Sequence, residues 1–588
     1  MCGIVGYKGE KNAVEVVLNG LKDLEYRGYD SWGIASLNRD IKIVKDIGKI
    51  GSISLGALGL DLSNLAIGHT RWATHGGVTK ENAHPHFSDS GDFALVQNGI
   101  VENFQELKKR LLEEGYKFNS ETDSEVIVRL IEYENHQKND LKSAVLSAFV
   151  QLKGRNAIVV VDKINKRIIA VRDGSPLMLG ICDKGYIIAS DPSPILKHTN
   201  KIIFLDDKEM VVVGEDYQVL DIGDGKVIEK EVENIDWDIE QSKKGEYPHF
   251  MLKEILEQKH TIKQALVQDP ELIKLIADKI KQSSKVYTVG CGTAGKVCLT
   301  STYFFSKLAN KQVNFNFGSE FNNFHNFIDN NSILLVVSQS GETADTLEAI
   351  KLVRDQKGEI ISLVNVMGST IMRQSNYSLL LNSGPEIAVA STKATTSQLA
   401  LIILLAYACA DKYDQGLDHL NHVSEEIERI VNQEHLEKIK KLAERLKDCS
   451  DVYIIGRGVN YPMALEAAIK IQEVSYIHAE GFAGGELKHG PIALINQNVP
   501  CIVLVANDET KNDILSSAME VKARGGYIIG VAPENNEIFD YWIEVVDVGI
   551  ASPIVNIIPI QLLAYYLSVC KGIDPDKPRN LAKSVTVK

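Results

Sequence analysis

The sequence predicts a multi-domain α/β protein: a strand-rich first part followed by two similar units built on parallel sheets. Three observations predict it. At 588 residues the chain is too long for one core, so two to four domains are expected. Up to about residue 235 short apolar strands predominate, whereas from 248 onward helices alternate with short apolar strands, the pattern of a parallel sheet. The second part also repeats itself. Val286-Tyr287-Thr288-Val289-Gly290-Cys291-Gly292 returns 166 positions later as Val452-Tyr453-Ile454-Ile455-Gly456-Arg457-Gly458. A weaker echo links the strand at 333–337 and Ser338–Thr343 to the strand at 501–505 and Asp508-Glu509-Thr510.

Composition narrows the function classes. A net charge of −14 disfavours a nucleic-acid footprint, and an anionic substrate then needs a local positive or amide-rich site. The eight cysteines are scattered without a CxxC pair, which argues against zinc and against a disulfide framework and fits a reducing cytoplasm. Two apolar runs, 399–410 and 553–570, read as buried helices: the first is too short to span a bilayer, and the second carries Asn556, Pro559, Gln561 and Ser568. The chain opens Met1-Cys2-Gly3-Ile4-Val5-Gly6 rather than on a basic region and apolar run, again arguing for the cytoplasm. Loss of Met1 would give Cys2 a free α-amino group, with a reference pKa of about 7.7–8.0 beside a thiol of about 8.5. One residue would then carry both nucleophile and base.

In the first part a strand at 4–7 leads to an amphipathic helix at 12–24, with Ala13, Val16, Val17, Leu21 and Leu24 at helical spacing. The glycine-bearing stretch 25–33 precedes a strand at 34–37. A strand at 66–69 runs into Arg71-Trp72-Ala73-Thr74-His75. A strand at 93–97 ends in Asn98-Gly99, a helix spans 104–112, and Ser120–Glu125 reads as a helix start. Strands continue at 158–161, 168–171, 185–189 and 202–205. Singly these motifs are bland. Asn98-Gly99 is a common hairpin turn, an arginine is commonly a surface ion pair, and His84 and His86 lack the carboxylate or cysteine partners of a metal site.

As an ordered set, Cys2, Arg71-Trp72-Ala73-Thr74, Asn98-Gly99 and Asp123 resemble the glutaminase domain of the class II glutamine amidotransferases, which are N-terminal-nucleophile hydrolases. The resemblance implies an αββα sandwich over 1–235, followed by a linker at 236–247. It implies a γ-glutamyl thioester on Cys2, an oxyanion hole from Asn98 and Gly99, and a glutamine pocket of Arg71, Trp72, Thr74, His75 and Asp123. A guanidinium suits the α-carboxylate of glutamine, and a carboxylate suits its ammonium. This chain has Gln97 where the family usually has His; Gln still donates and accepts, so tuning rather than loss is expected.

In the second part Gly290-Cys291-Gly292-Thr293 is a strand-to-helix turn that completes no GxGxxG. Ser338-Gln339-Ser340-Gly341-Glu342-Thr343 follows a buried strand and opens a helix, bringing hydroxyls, an amide and helix N-terminal N–H groups together as an anion site. No Gly-Lys-Ser/Thr follows, so it is not a nucleotide loop. These residues resemble the sugar-isomerase (SIS) fold, implying doubly wound subdomains at 248–425 and 426–575 and a tail at 576–588.

Taken whole, the chain resembles the isomerising glutamine–fructose-6-phosphate aminotransferases, also called glucosamine-6-phosphate synthases. The likeness takes in Val389–Lys393, Ala467–Glu473, Tyr476–Glu480, Gly485–Pro491 and Pro578–Val587. It implies conversion of fructose 6-phosphate and glutamine to glucosamine 6-phosphate and glutamate, the entry step of hexosamine and UDP-N-acetylglucosamine synthesis, with ammonia channelled internally past Trp72. By the same resemblance Lys583 forms a Schiff base with C2 of the sugar and Glu473 moves a proton between C1 and C2. His489, from the neighbouring subunit of a homodimer, opens the ring. Ser338, Gln339, Ser340 and Thr343 hold the phosphate, and Thr293, Ser391 and Lys470 contact the sugar. No metal and no pyridoxal phosphate is needed. The residues alone would make Lys583 a solvated tail lysine and Lys470/Glu473 a surface salt bridge. Two further departures are Ala294, where the family often has Ser, and Lys259, where it commonly has Pro. Two other readings are a sugar-phosphate-sensing SIS regulator, opposed by the charge and by Cys2 and Lys583, and a deglycase-type relative, opposed by Cys2 and Arg71.

Overall fold

The computed structural model describes residues 2–235 and 244–586, so residues 236–243 of the expected 236–247 linker lie outside the described residues. The described residues form two compact units, one of 2–235 with 582–586 and one of 244–581.

The first unit holds two antiparallel sheets. One has eight strands in the order Glu233–Asn234, Lys201–Phe204, Met178–Cys182, Gly185–Ala189, Gly3–Gly9, Leu65–Arg71, Ser31–Leu37 and Ile41–Ile47. The other has seven, Val227–Ile228, Tyr217–Asp221, Glu209–Val213, Arg167–Asp173, Asn156–Asp162, Phe93–Gly99 and His86–Phe87. Side chains alternate faces along a strand, and the packing follows that period. From Asn156–Asp162, Ala157, Val159 and Val161 join Ile4 and Ile67 of the other sheet in one core. Ile158 and Val160 instead meet Ile127 and Leu130 of helix Ser124–Lys138. On the far side Val5 and Tyr7 pack with Val14, Val17 and Leu21 of helix Ala13–Asp23, which Asn12 caps. The layers therefore run helix, sheet, sheet, helix, as the sandwich expectation requires.

The second unit carries two five-stranded parallel sheets. The first runs Asn314–Phe317, Lys285–Gly290, Ser332–Ser338, Glu359–Val364, Tyr377–Leu380, and the second His478–Ala483, Asp451–Gly456, Pro500–Leu504, Tyr527–Ala532, Tyr541–Glu544. Numbered along the chain, both have the order 2-1-3-4-5, so the sequence repeat is a repeat of topology. In that order the ligand crevice lies at the carboxyl ends of strands 1 and 3. Ile333, Leu335 and Val337 face a core shared by both sheets, while Leu334 and Val336 face helix Ala344–Asp355.

The two apolar runs lie at the centre of the shared core. Every residue of helix Lys393–Cys409 is buried, which explains why its stretch from Leu399 on is apolar on all sides. The segment Gly549–Cys570 is, among the described residues, the one helix long and apolar enough to cross a membrane, but 83% of its apolar window is buried in the protein. Leu404→Ala in the fully buried helix should destabilise this unit by about 2–5 kcal/mol, read as a lower midpoint in denaturant titration with the first unit's transition unmoved.

Candidate active sites

The candidate site residues of the first unit converge where strands Gly3–Gly9 and Leu65–Arg71 pair, with Gly3 opposite Thr70. That register sets Cys2 against Trp72: the Cys2 thiol lies 3.7 Å from the Trp72 carbonyl, and the Trp72 N–H donates to Sγ at 3.4 Å. The stretch after Arg71 is held by the 25–33 loop, since Asp30 accepts from the Ala73 N–H at 2.8 Å. Gly28 lies so close that a Cβ there would stand 2.7 Å from the Arg71 carbonyl carbon. The loop itself is tied down by a buried Arg27–Asp191 ion pair at 2.5 Å, which Tyr26 joins at 2.8 Å.

Asn98 and Gly99 are not a hairpin turn. They are the last residues of strand Phe93–Gly99, paired with Ala157 and Asn156. Asn98 Nδ2 donates to the Cys2 carbonyl at 3.1 Å. Gly99 has φ +126°, and a Cβ would lie 1.9 Å from the Arg155 carbonyl oxygen, so only glycine fits. Asp123, buried, immediately precedes helix Ser124–Lys138 and accepts from the Val101 N–H at 2.7 Å. Gln97 is engaged at both ends, accepting from Ser124 Oγ at 2.6 Å and donating to Asn156 Oδ1 at 2.9 Å.

Arg71 and Asp123 are both close enough to act electrostatically on Cys2. The buried Arg71 guanidinium donates to the carbonyls of His75 at 2.6 Å, Gly76 at 3.3 Å and Gly77 at 3.1 Å, and no carboxylate among the described residues forms an ion pair with it. Burial pushes the Asp123 carboxyl up, against the Val101 N–H and the nearby His75 and Arg71 charges. Burial likewise pushes the Cys2 thiol up, while the Trp72 N–H and Arg71 pull it down. Trp72 and His75 are half-buried and Thr74 exposed, at the open side. His84 and His86 are buried and kept neutral by burial. Among the described residues no cluster of metal-ligating side chains forms.

In the second unit Ser338 ends its strand and the loop folds on its own hydroxyls. Ser338 Oγ accepts from the Gly341 N–H at 3.0 Å and Ser340 Oγ from the Glu342 N–H at 3.2 Å. Gly341, at φ +65°, leaves no room for a Cβ, which would stand 2.1 Å from Ser369 Oγ. Thr343 caps helix Ala344–Asp355 through its backbone, its hydroxyl 3.5 Å from that of Ser338. Gln339 is half-buried beside it.

In the same unit, helix Tyr461–Ser475 presents a charge cluster. Lys470 is fully buried, not on the surface as residue type alone suggests, and pairs with Glu473 at 2.6 Å and Glu466 at 3.4 Å. Thr293 Oγ1 donates to Glu466 at 2.9 Å. Burial raises the Glu466 carboxyl to about 6. Burial opposes the charge on Lys470, yet Glu473 and Glu466 hold its pKa above the ordinary value. Ser391 Oγ donates to Glu386 at 3.0 Å, and the same carboxylate accepts the N–H groups of Thr392 and Ala394 at 2.9 and 3.0 Å. The sequence reading missed His69, Glu386 and Glu466. Of these, Glu466 was visible as i−4 from Lys470.

His489 is exposed, in a short helical turn after strand His478–Ala483. Lys583 is half-buried in the tail that folds with the first unit, next to buried Ser584, and the Arg155 guanidinium anchors that tail at the Thr586 carbonyl, 3.1 Å away.

A thiol set against backbone N–H, amide donors and an unpaired arginine in the first unit, and a hydroxyl-rich helix-start loop and a buried lysine–glutamate cluster in the second, define a glutamine amidotransferase joined to sugar-phosphate-type domains. The family models agree: a glutamine amidotransferase domain matches residues 69–197 and an SIS domain matches 279–408 and 445–570. Glutamine–fructose-6-phosphate aminotransferases (isomerizing) from Thermococcus kodakarensis, Methanothermobacter thermautotrophicus and Chlorobaculum tepidum are 43%, 42% and 40% identical to this chain, each over 100% of both chains. The C-terminal domain of glucosamine-fructose-6-phosphate aminotransferase from Francisella tularensis superposes with a TM-score of 0.53 at 32% identity, covering 57% of this chain and 100% of that one. The chain belongs to the isomerising glutamine–fructose-6-phosphate aminotransferase family.

Lys470→Met should leave the buried Glu466 and the partly buried Glu473 without their cation, costing about 3–5 kcal/mol at neutral pH. The Glu466 pKa already lies above its unfolded value, so its folded state favours the proton. The loss should therefore be larger at pH 8 than at pH 5, and thermal melts of wild type and variant at both values check the sign.

Proposed function

We propose that the chain converts fructose 6-phosphate and glutamine to glucosamine 6-phosphate and glutamate. What supports this most strongly is the match to named aminotransferases over the whole length of both chains. With Met1 removed, the Cys2 amine takes the thiol proton and sulfur adds to the γ-carboxamide of glutamine. Arg71 and Asp123 hold the α-carboxylate and ammonium, with Trp72, Thr74 and His75 around them. Asn98 and Gly99 stabilise the oxyanion. Ammonia leaves, and water releases glutamate from the thioester.

At the sugar end Ser338, Gln339, Ser340 and Thr343 bind the phosphate through neutral donors at a helix start, while Thr293, Ser391 and Lys470 contact the sugar. His489 opens the ring and Lys583 condenses with C2. Ammonia then replaces the lysine at C2, and Glu473 carries a proton from C1 to C2, turning ketose into aldose. The exposure of His489 supports a homodimer in which the partner subunit's His489 completes each site. Eight free cysteines support a reducing compartment, the cytoplasm.

Incubation with both substrates should yield glucosamine 6-phosphate. Cys2→Ala should abolish glutamine use while sugar isomerisation persists; glutamine hydrolysis at the wild-type rate would refute the thioester route. Intact mass should place Cys2 at the mature amino terminus. Co-expressed His489→Ala and Glu473→Gln chains should recover part of the synthesis that each lacks alone, because a mixed dimer has one intact sugar site. No recovery in isolated mixed dimers would place His489 in its own chain's site.

A further inference from the structure

Asparagine is an ambiguous oxyanion donor. The two ends of its amide are almost isosteric, and a flipped side chain would present oxygen where the reaction needs N–H. The environment of Asn98 removes the ambiguity. Its Nδ2 donates to the Cys2 carbonyl, which can only accept, so Oδ1 faces the other way, onto His69 Nε2 at 3.1 Å. The same Nε2 lies 2.9 Å from the Gln97 carbonyl, also only an acceptor. Nε2 therefore carries the hydrogen, shared between two oxygens. His69 is wholly buried, burial holds its pKa at about 3, and Nδ1 has no partner. A neutral ring with one N–H cannot serve both nitrogens, and the packing selects the tautomer that grips Asn98. The ring plane is fixed in turn: His84 stacks on it at 4.1 Å with 14° between planes, and His84 Nδ1 accepts from the Gln97 N–H at 3.2 Å.

We infer that His69 is a positioning residue for glutamine hydrolysis: its Nε2–H pins the Asn98 amide so that one Nδ2 hydrogen stays on the Cys2 carbonyl and the other points at the oxyanion. This deepens the reading of Asn98 given above and rests on it. His69 reaches no reacting atom itself. It sits on the strand that carries Arg71, two residues earlier, so one strand supplies both the carboxylate clamp and the orientation of the oxyanion donor.

A mutant cycle in the full-length chain tests the assignment through glutamate release. His69→Phe keeps a ring against His84 but removes the N–H; His69→Gln restores an N–H donor at similar reach. Asn98→Ala alone should lower kcat by about 10²–10³-fold, as loss of one oxyanion donor does. His69→Phe should lower kcat about 10–100-fold with KM for glutamine within about twofold, and His69→Gln should recover most of it. In the Asn98→Ala background His69→Phe should cost nothing further, because the group it positions is gone. An equal factor in both backgrounds, or a loss carried by KM, would overturn the proposal. A normal loss for Asn98→Ala with His69→Phe unaffected refutes this assignment alone, whereas Asn98→Ala at full kcat refutes the oxyanion reading beneath it. Should His69→Phe not fold, His69→Leu goes through the same cycle; if neither folds, His69 is a core residue only and the proposal falls.

Discussion

The glutaminase site depends on one register. Strand Gly3–Gly9 pairs with Leu65–Arg71 so that Gly3 meets Thr70, Ile4 meets His69 and Val5 meets Gly68. A shift of one residue would turn every side chain of the first strand to the other face. Ile4 would leave the core between the sheets, and Cys2 would lose the Trp72 N–H. The packing closes off that alternative. A Cβ at Gly3 would stand 2.7 Å from Leu24 Cβ and from Thr70 Oγ1, and one at Gly68 2.6 Å from Val17 Cγ1. The helix pressed against this strand pair thus fixes the register, and the register fixes where Cys2 stands.

Much of this was legible in the sequence. Short apolar runs located many of the strands, and the 166-residue repeat anticipated two similar sheets. Motif order singled out Cys2, Arg71, Asn98, Gly99 and Asp123. What stayed hidden was whatever depends on neighbours distant in the chain. Asn98-Gly99 has the composition of a turn, and only the pairing with Asn156–Asp162 makes it a strand end. Lys470 and Glu473 share a helix face by spacing, but spacing does not say whether that face meets water, and here Lys470 is fully buried. His69 gave no signal, because a histidine at a strand end has no local signature of the amide 29 positions further on.

The two sheets of the second unit share a strand order and differ in what fills their carboxyl edges. At the first edge, hydroxyls of Ser338, Ser340 and Thr343 surround a helix start, with those of Ser338 and Ser340 accepting backbone N–H groups of the loop. At the equivalent edge of the second sheet the repeat has Asp508-Glu509-Thr510. There Lys307, from the helix that follows the first sheet's opening strand, pairs with Glu509 at 2.5 Å and lies 3.6 Å from Asp508, while Arg457 pairs with Asp513 at 3.3 Å. One edge keeps neutral donors, which suit a phosphate; the other satisfies its charges internally. Duplication of the scaffold left the chemistry unequal.

The tail has a consequence for how the chain is divided. Asp576 accepts the N–H groups of Phe250 and Met251 at 2.9 and 2.8 Å, binding that end of the second unit to its own beginning, yet 582–586 folds with the first unit. In sequence terms the second unit is an insertion, and the first is discontinuous, its last segment supplied some 350 residues after the rest. A cut at the interdomain linker would not separate two natural halves. It would strip the amino-terminal piece of a stretch that includes Lys583 and leave that stretch dangling on the other fragment, away from the Arg155 contact that orders it. In this chain the unit of folding and the unit of sequence are not the same object.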